Sequence, residues 1–590
     1  MAEVRPSGGI LHGHVIVCSL KGVGLRVVEL LHHGGVPTVV IDGDPTQRHV
    51  HLLERWGVTY LHQSGHLRDG LAQAGLDTAA AVICADTDEL VALEVSLWVR
   101  EQRPEVRLVV QMENSPVREA MEGIIKPGAV LNAASLTAPS FIEVCLRKRS
   151  HSLDLGDERF DVVETTIPAD EPLSTFRTHF ESLSPVAIIS PDADEMELCP
   201  GRDHTVAPGD RVALLGTPAE LAAAGLDQRD HRRRDGPETA RFDRARRLLA
   251  AVRDEGSRGI VYALSAILAL IFLATIVVRF GYHDAVHPHL NLLQSLYFVV
   301  ETVATVGFGD FSFAQQAPWM QLFGIALIVV GVTLTTVTFV LFTNLLVGRR
   351  IDQSLGRREV PGMKGHVVVV GLGSIGVDVV EGILAQGSKV VVVERDETNR
   401  YLSRVRALGV PVIIADATQR QTLSMVNLTH ASAIVVLTSE DFTNIETALA
   451  IRDYLGDDIA GTPVILRVTD RSLAQLMERS FGFRYVRSTS ALAAPFFVGA
   501  ALGLDVAATF FIDRQAFLVG KLTVAPGGGL RGRAMGELST RTRVIGLRRS
   551  GSDGSFQHPP RRGTKFEAGD EAFVLGADED ILRLLRQEQG

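Results

Sequence analysis

Two short stretches of this 590-residue chain combine residue types and spacings that could do chemistry. The first is Thr305-Val306-Gly307-Phe308-Gly309-Asp310. Gly307 and Gly309 can take positive-φ dihedrals that other residues avoid, and these would turn the carbonyls of Thr305, Val306, Gly307 and Phe308 toward one axis. Thr305 adds a hydroxyl at the inner end, and Val306 and Phe308 can pack away from the axis. Four such strands around one axis would replace the water shell of a dehydrated cation. The same six residues also spell an ordinary turn, so their surroundings decide. The second stretch is Gly371-Leu372-Gly373-Ser374-Ile375-Gly376, a G-x-G-x-x-G spacing. Glycines so placed let the backbone turn sharply and approach a pyrophosphate, and a helix beginning there offers it free N–H groups.

The elements that must position the first stretch are apolar helices. Residues 259–278 hold no charged side chain. About 20 residues at about 1.5 Å rise span about 30 Å, the hydrocarbon thickness of a bilayer. Residues 317–348 form a second uncharged stretch, opened by Trp319 as an interfacial anchor and closed by Arg349 and Arg350. A dense arginine run, including Arg232, Arg233, Arg234, Arg244, Arg246 and Arg247, precedes the first. The connection over 279–316 carries one basic residue, Arg279, apart from histidines. The positive-inside rule then puts both soluble ends in the cytoplasm and the connection outside. Residues 289–304 are apolar enough for a short re-entrant helix that stops at Thr305. Non-helical backbone at that depth is tolerated only where protein or a water-filled cavity surrounds it.

This order of helix, short helix, carbonyl row and helix resembles the pore module of two-helix tetrameric potassium channels. The Thr305–Asp310 segment is similar to their Thr-Val-Gly-Tyr-Gly filter, with Phe308 where tyrosine is commoner. The resemblance implies a homotetramer in membrane lipid. Potassium would be held by the carbonyls of Thr305, Val306, Gly307 and Phe308. It also implies that Glu301 and Asp310 sit behind the filter and share a proton, with Tyr297 as aromatic partner one turn earlier. Two close carboxyls in a low-dielectric setting cannot both ionise cheaply, and an ionisable residue inside a membrane is a functional candidate by default. Gly331, midway along the second long helix, is either a gating hinge or a site of close helix packing.

The second stretch sits in a soluble module. It follows the strand-like run Val367-Val368-Val369-Val370 and opens a helix, and a further strand over 389–393 ends at Glu394. A carboxylate about 20 residues after the glycines is placed for ribose hydroxyls, which favours NAD(H) or an adenine nucleotide over NADP(H). Asp416 and Thr438 follow the next two strands, at the carboxyl edge where open α/β sheets bind ligands. Calcium or sodium acting through carboxylates stays open.

A first soluble module reads the same way. Strands are expected at 14–18, 36–42, 80–84 and 107–111, with a helix from Gly24. A shift of 352 positions lays His14 on His366, Gly24 on Gly376 and Asp42 on Glu394 without a gap. Ser19 and Lys21 then stand where two of the glycines should be. Lys21 either binds phosphate itself or marks a unit that has lost nucleotide binding, the second being the better reading. Gly209-Asp210 matches Gly569-Asp570 in the small subdomains that follow. Both copies resemble regulator-of-potassium-conductance (RCK, TrkA-like) domains.

The expected fold is therefore a membrane α-helical pore module between two α/β Rossmann-like RCK modules, each with a small α+β subdomain. The first module occupies 13–140 with its subdomain at 150–225, and a basic linker runs over 226–258. The pore module is 259–348: membrane helices 259–280 and 317–348, pore helix 289–304, filter 305–310. The second module occupies 364–495 with its subdomain at 505–588.

Composition bounds the function. A formal charge of −10 argues against a nucleic-acid partner. Cys18, Cys84, Cys145 and Cys199 have no metal-ligand spacing and read as buried thiols in a reducing compartment. The first residues contain no apolar signal region, so nothing there suggests secretion. Three functions compete. A ligand-gated channel in the cell membrane uses every motif. A membrane-anchored NAD-dependent oxidoreductase would need a His, Arg or Lys set beside the glycines, and none is evident, so no enzymatic activity is expected. A nucleotide-sensing regulatory subunit of a separate transport system would leave the 305–310 segment without a purpose.

Overall fold

A computed structural model describes residues 11–43, 49–63, 67–86, 88–125, 128–146, 150–155, 158–168, 174–180, 183–191, 196–226, 255–283, 290–355, 363–456, 461–513, 515–538, 541–551, 556–561 and 563–589. The arginine-rich part of the expected linker lies outside these residues. The chain divides into two units, residues 1–229 with 359–590, and residues 230–358.

The larger unit contains the module twice. Val15–Cys18 pairs in parallel with Thr38–Asp42 on one side and Ala81–Cys84 on the other. Val367–Val370 pairs with Val390–Glu394 and Ala433–Val436 in the same register, 352 positions on. Each sheet has six strands. Chain order 3-2-1-4-5-6 runs Thr59–His62, Thr38–Asp42, Val15–Cys18, Ala81–Cys84, Arg107–Gln111, Gly128–Leu131 in the first. The second runs Val412–Ile414, Val390–Glu394, Val367–Val370, Ala433–Val436, Val464–Val468, Tyr485–Ser488. The central strands are continuous apolar runs because helices cover both faces. The expected strand at 36–42 begins at Thr38, since Pro37 lacks the N–H a central strand would donate.

The two copies exchange helices. Ala133–Cys145 of the first packs on Ser374–Ala385 of the second, where a Cβ added to Gly382 would stand 2.3 Å from Ile142 Cδ1. Thr489–Leu502 of the second packs on Gly24–His33 of the first. Both exchanged helices carry an internal proline, Pro139 and Pro495. The small subdomains are five-stranded antiparallel sheets of matching order, and their inner faces share one core through Phe160, Leu215, Phe517 and Leu575. Arg26 and Asp578, both buried, form an ion pair at 2.7 Å between the copies. This reciprocal packing is decided by contacts between residues far apart in the chain.

Among the described residues the smaller unit has three helices, Glu255–Gly281, Leu292–Val303 and Pro318–Leu355. Two are long and apolar enough to cross a membrane. They leave Leu268, Phe272, Leu322, Ile325 and Phe339 exposed to 60% or more, large apolar side chains that a partner or a membrane would cover. The last helix runs seven residues past the expected end at 348, because no proline interrupts it. The short helix is tighter than the expected 289–304. Asn291 caps it, accepting from Gln294 N at 2.8 Å while Gln294 Oε1 accepts from Asn291 N at 2.9 Å. A core of Ala274, Val278, Phe298, Val303, Met320 and Leu327 holds the three together.

Candidate functional sites

In the smaller unit the Leu292–Val303 helix ends on the 305–310 segment. Its last turn is carried forward by Ala304 N to Val300 O at 2.8 Å and Val306 N to Glu301 O at 2.9 Å. Beyond it, φ is positive at every second residue: Thr305 (56°), Gly307 (60°) and Gly309 (85°). Alternation of left- and right-handed residues brings successive carbonyls to one side of the chain and N–H groups to the other. Added Cβ atoms at Gly307 and Gly309 would meet nothing within 4 Å, so conformation alone explains these glycines. Thr305 takes the same unfavourable region without being glycine, a strained position of the kind that clusters at functional sites.

The three residues that the resemblance groups with this segment lie side by side. Glu301 is 5% exposed, and its carboxyl lies within hydrogen-bonding reach of Tyr297 and Asp310. Its buried Oε2 has no partner of regular geometry. The Tyr297 ring stacks on Phe308 with centroids 6.4 Å apart and planes 7° from parallel. Phe308 thus has a ring partner behind the segment, an i−11 contact that spacing rules do not anticipate. Gly331 lies in an unbroken helix, and a Cβ there would stand 3.3 Å from Val303 Cγ2. That contact favours packing against the short helix over bending.

In the larger unit, Gly371, Glu394, Asp416 and Thr438 meet at the carboxyl edge of the second parallel sheet. Gly371 has φ +92°, and a Cβ there would fall 2.8 Å from Thr438 N. A Cβ on Gly376 would fall 2.4 Å from Gly371 O, whereas Gly373 faces open space. Gly373 precedes the Ser374–Ala385 helix, whose N-terminus has no side-chain cap. Ser374 opens that helix and Ile375 turns into the core. The helix end therefore offers N–H groups over a clear approach, which suits a phosphate.

The acidic partner is more occupied than its sequence position suggests. Glu394 Oε2 accepts from Leu372 N (2.7 Å) and Asn399 Nδ2 (3.2 Å), and Oε1 from Arg395 N (2.8 Å) and Asp396 N (2.9 Å). Four donors use the four lone-pair directions of a carboxylate. A ribose hydroxyl must displace one of them, and Asn399 is the only side chain among them. Asp416 accepts from Thr418 N (2.9 Å) and Oγ1 (2.7 Å), which hold its carboxyl below the usual range. Thr438 is bound through N and Oγ1 by Asn444 Oδ1, and through its carbonyl by Arg467 at 2.5 Å. Asn399, Asn444 and Arg467 were not found by sequence reading, because single polar residues without a motif give no signal until the topology places them.

The first copy has the same frame with different contents. Leu20 N donates to Asp42 Oδ2 at 2.7 Å, as Leu372 does to Glu394. His14 Nε2 meets Ala74 O at 2.7 Å, and His366 Nε2 meets Val426 O at 2.9 Å. Ser19 stands at Gly371's place with φ +77° and Lys21 at Gly373's. All four cysteines are buried and free. Among the described residues no cluster of His, Cys, Asp and Glu could hold a metal ion.

Comparison with known proteins follows this layout. The TrkA-N domain model matches residues 15–125 and again 367–489, an ion channel model matches 265–348, and the TrkA-C domain model matches 520–588. The chain thus carries an ion-channel domain between two TrkA-N domains, as the resemblance of its motifs implied. It is 26% identical over 198 residues to an uncharacterized protein of Methanothermus fervidus and 24% identical over 217 residues to the voltage-gated potassium channel Kch of Escherichia coli. The matches cover 32% and 36% of this chain, and span 28% and 50% of those relatives. A solved structure described as the GsuK channel bound to NAD covers 99% of this chain and 80% of its own, at 13% identity and a TM-score of 0.47.

Proposed function

We propose that this chain conducts potassium passively as a homotetramer in the cell membrane, and that a nucleotide held at the Gly371–Gly376 loop controls the conductance. The observation that carries the reading is the alternation of positive φ at 305, 307 and 309 at the end of a capped helix between two membrane-length helices. A ring of four such segments supplies a column of carbonyl oxygens from Thr305, Val306, Gly307 and Phe308. These can replace a hydration shell without any enzymatic step. The name of the Escherichia coli relative supports the choice of ion. Both soluble copies then lie on the cytoplasmic side. Ligand binding shifts the pore only through differential affinity for its open and closed arrangements. Open space at Gly373 and the uncapped helix N-terminus suit the phosphates of NAD(H) or an adenine nucleotide.

Purified protein in liposomes is expected to pass potassium in strong preference to sodium, and Gly307→Asp is expected to abolish the flux. Equal passage of the two ions would overturn the assignment of residues 305–310. Thermal protection by NAD(H) or ADP that persists in Gly373→Asp would move the nucleotide elsewhere.

A further inference from the structure

A cavity of about 1430 Å³ opens in the larger unit, away from the glycine loop. Both small subdomains and the Arg471–Phe481 helix of the second module wall it. Its lining is unusually cationic. The first subdomain contributes Arg177 and Arg202, the helix Arg471 and Arg479, and the second subdomain Arg541, Arg543 and Arg561. Three of the seven are already engaged, Arg177 by Asp203 at 2.7 Å, Arg541 by Asp580 at 3.0 Å and Arg543 by the Cys199 and Pro200 carbonyls, which leaves Arg202, Arg471, Arg479 and Arg561 beside three lining carboxylates, Glu197, Glu478 and Asp513. Glu478 and Asp513 have a cation elsewhere. Glu197 lies 3.3 Å from His204 and Asp513 lies 3.7 Å from Arg211, while Glu478 and Asp513 both stabilise the charge of the buried Arg487. Arg202 buries an Nε that has no partner. Burial lowers its pKa, as does the nearby Arg177, against the pull of Asp203 and Glu220.

A concave cationic surface at the junction of three bodies concentrates anions, and guanidinium forks match phosphate oxygens in pairs. The volume exceeds the roughly 300–1,000 Å³ of ordinary small-ligand sites. Met196, Met535 and Leu538 add an apolar patch to the wall. From this we infer a second ligand site, distinct from the glycine loop, that takes a small molecule bearing several phosphate charges. Such a ligand touches the first subdomain, the second subdomain and the second Rossmann-like module together. Its binding ties the relative placement of those three bodies to the supply of a phosphorylated metabolite. The glycine loop alone cannot do this, since its walls come from one sheet edge.

The test uses the full-length chain in detergent at low salt, with inorganic tripolyphosphate as probe and calorimetry as readout. With the glycine loop filled by excess NAD(H) or ADP, or blocked by Gly373→Asp, one tripolyphosphate site per chain is expected. Arg202→Gln with Arg471→Gln should weaken it about ten- to a hundredfold for each charged contact removed, and Gly373→Asp should leave it unchanged. Loss of binding in Gly373→Asp, or full affinity in the arginine variant, would overturn the inference. Where the double variant melts early, Arg561→Gln on its exposed loop serves instead, and unchanged affinity there would count against the site. Citrate binding as tightly as tripolyphosphate would rule out phosphate as the ligand class.

Discussion

The two Rossmann-like copies share a frame and differ at two of the three glycine positions of one loop. Gly24 and Gly376 are alike because packing demands it: a Cβ at either would fall 2.1 or 2.4 Å from the carbonyl oxygen of residue 19 or 371. Ser19 and Gly371 are alike in conformation, with φ of +77° and +92°, though only one is glycine. Lys21 and Gly373 differ where nothing in the second copy constrains the residue. Two of the three glycines therefore serve the backbone, and one serves whatever approaches from outside. Loss of that one glycine with retention of the other frame contacts separates the folding role of the motif from its binding role within a single chain.

The strongest way to break this comparison is to load the shared position. Gly24→Ala and Gly376→Ala are each expected to cost about 3 kcal/mol, the upper range for forcing extra atoms into a packed site. Thermal melting of the full chain without nucleotide checks it. Equal loss in both copies supports a purely structural third glycine. Tolerance in the first copy alone would mean that its loop has relaxed away from the second's. Gly373→Asp should instead leave the melting temperature without ligand nearly unchanged and remove ligand protection. At a hundredfold excess over Kd that protection is about 2.7 kcal/mol. Lys21→Asp in the first copy should change neither quantity.

The comparison extends to pH through the equivalent histidines. His366 is fully buried, and desolvation lowers its pKa against the opposing effect of the Val426 carbonyl. The sign follows from the unfolded value of about 6.5. Below it the unfolded chain takes up the proton first, so the second module loses stability from about pH 6.5 down to the depressed folded value. Above pH 6.5 this group contributes no slope. Melting temperatures between pH 7.5 and 5.5 should fall less steeply in His366→Gln than in the parent protein. Parallel slopes would place the acid sensitivity of this range elsewhere.

Much of this was legible in the sequence, for reasons that vary by element. The strand at Arg107–Gln111 was expected at those residues, because a buried parallel strand is an unbroken apolar run between turn signals. Tyr297, Glu301 and Asp310 were grouped by the resemblance of the pore module, and spacing adds only that Tyr297 and Glu301 lie one helical turn apart. The exchanged helices were not foreseen, since the choice between packing on one's own sheet and on the other copy is decided by contacts hundreds of residues apart. One signal was present. Residues 491–501 are apolar on every side, which a helix with a free face cannot sustain, and the helix is buried nearly throughout. The saturation of Glu394 was invisible for a different reason, as three of its four donors are backbone groups common to every sequence.

The smallest effect sharpens the comparison most. Ser19 holds a left-handed conformation that costs an ordinary residue about 1–2 kcal/mol. It recovers part of this by accepting from Lys21 N at 3.2 Å. Ser19→Gly removes the steric cost, gives up that contact, and adds the chain entropy of glycine, about 0.5–1 kcal/mol. The net expected gain is about 0.5 kcal/mol, read as a slight rise in melting temperature, with no nucleotide protection acquired. A gain with protection would show that the left-handed residue, and not Lys21, keeps nucleotide out of the first copy. A net loss would show that Ser19 is held by its hydroxyl contact more firmly than its backbone opposes it.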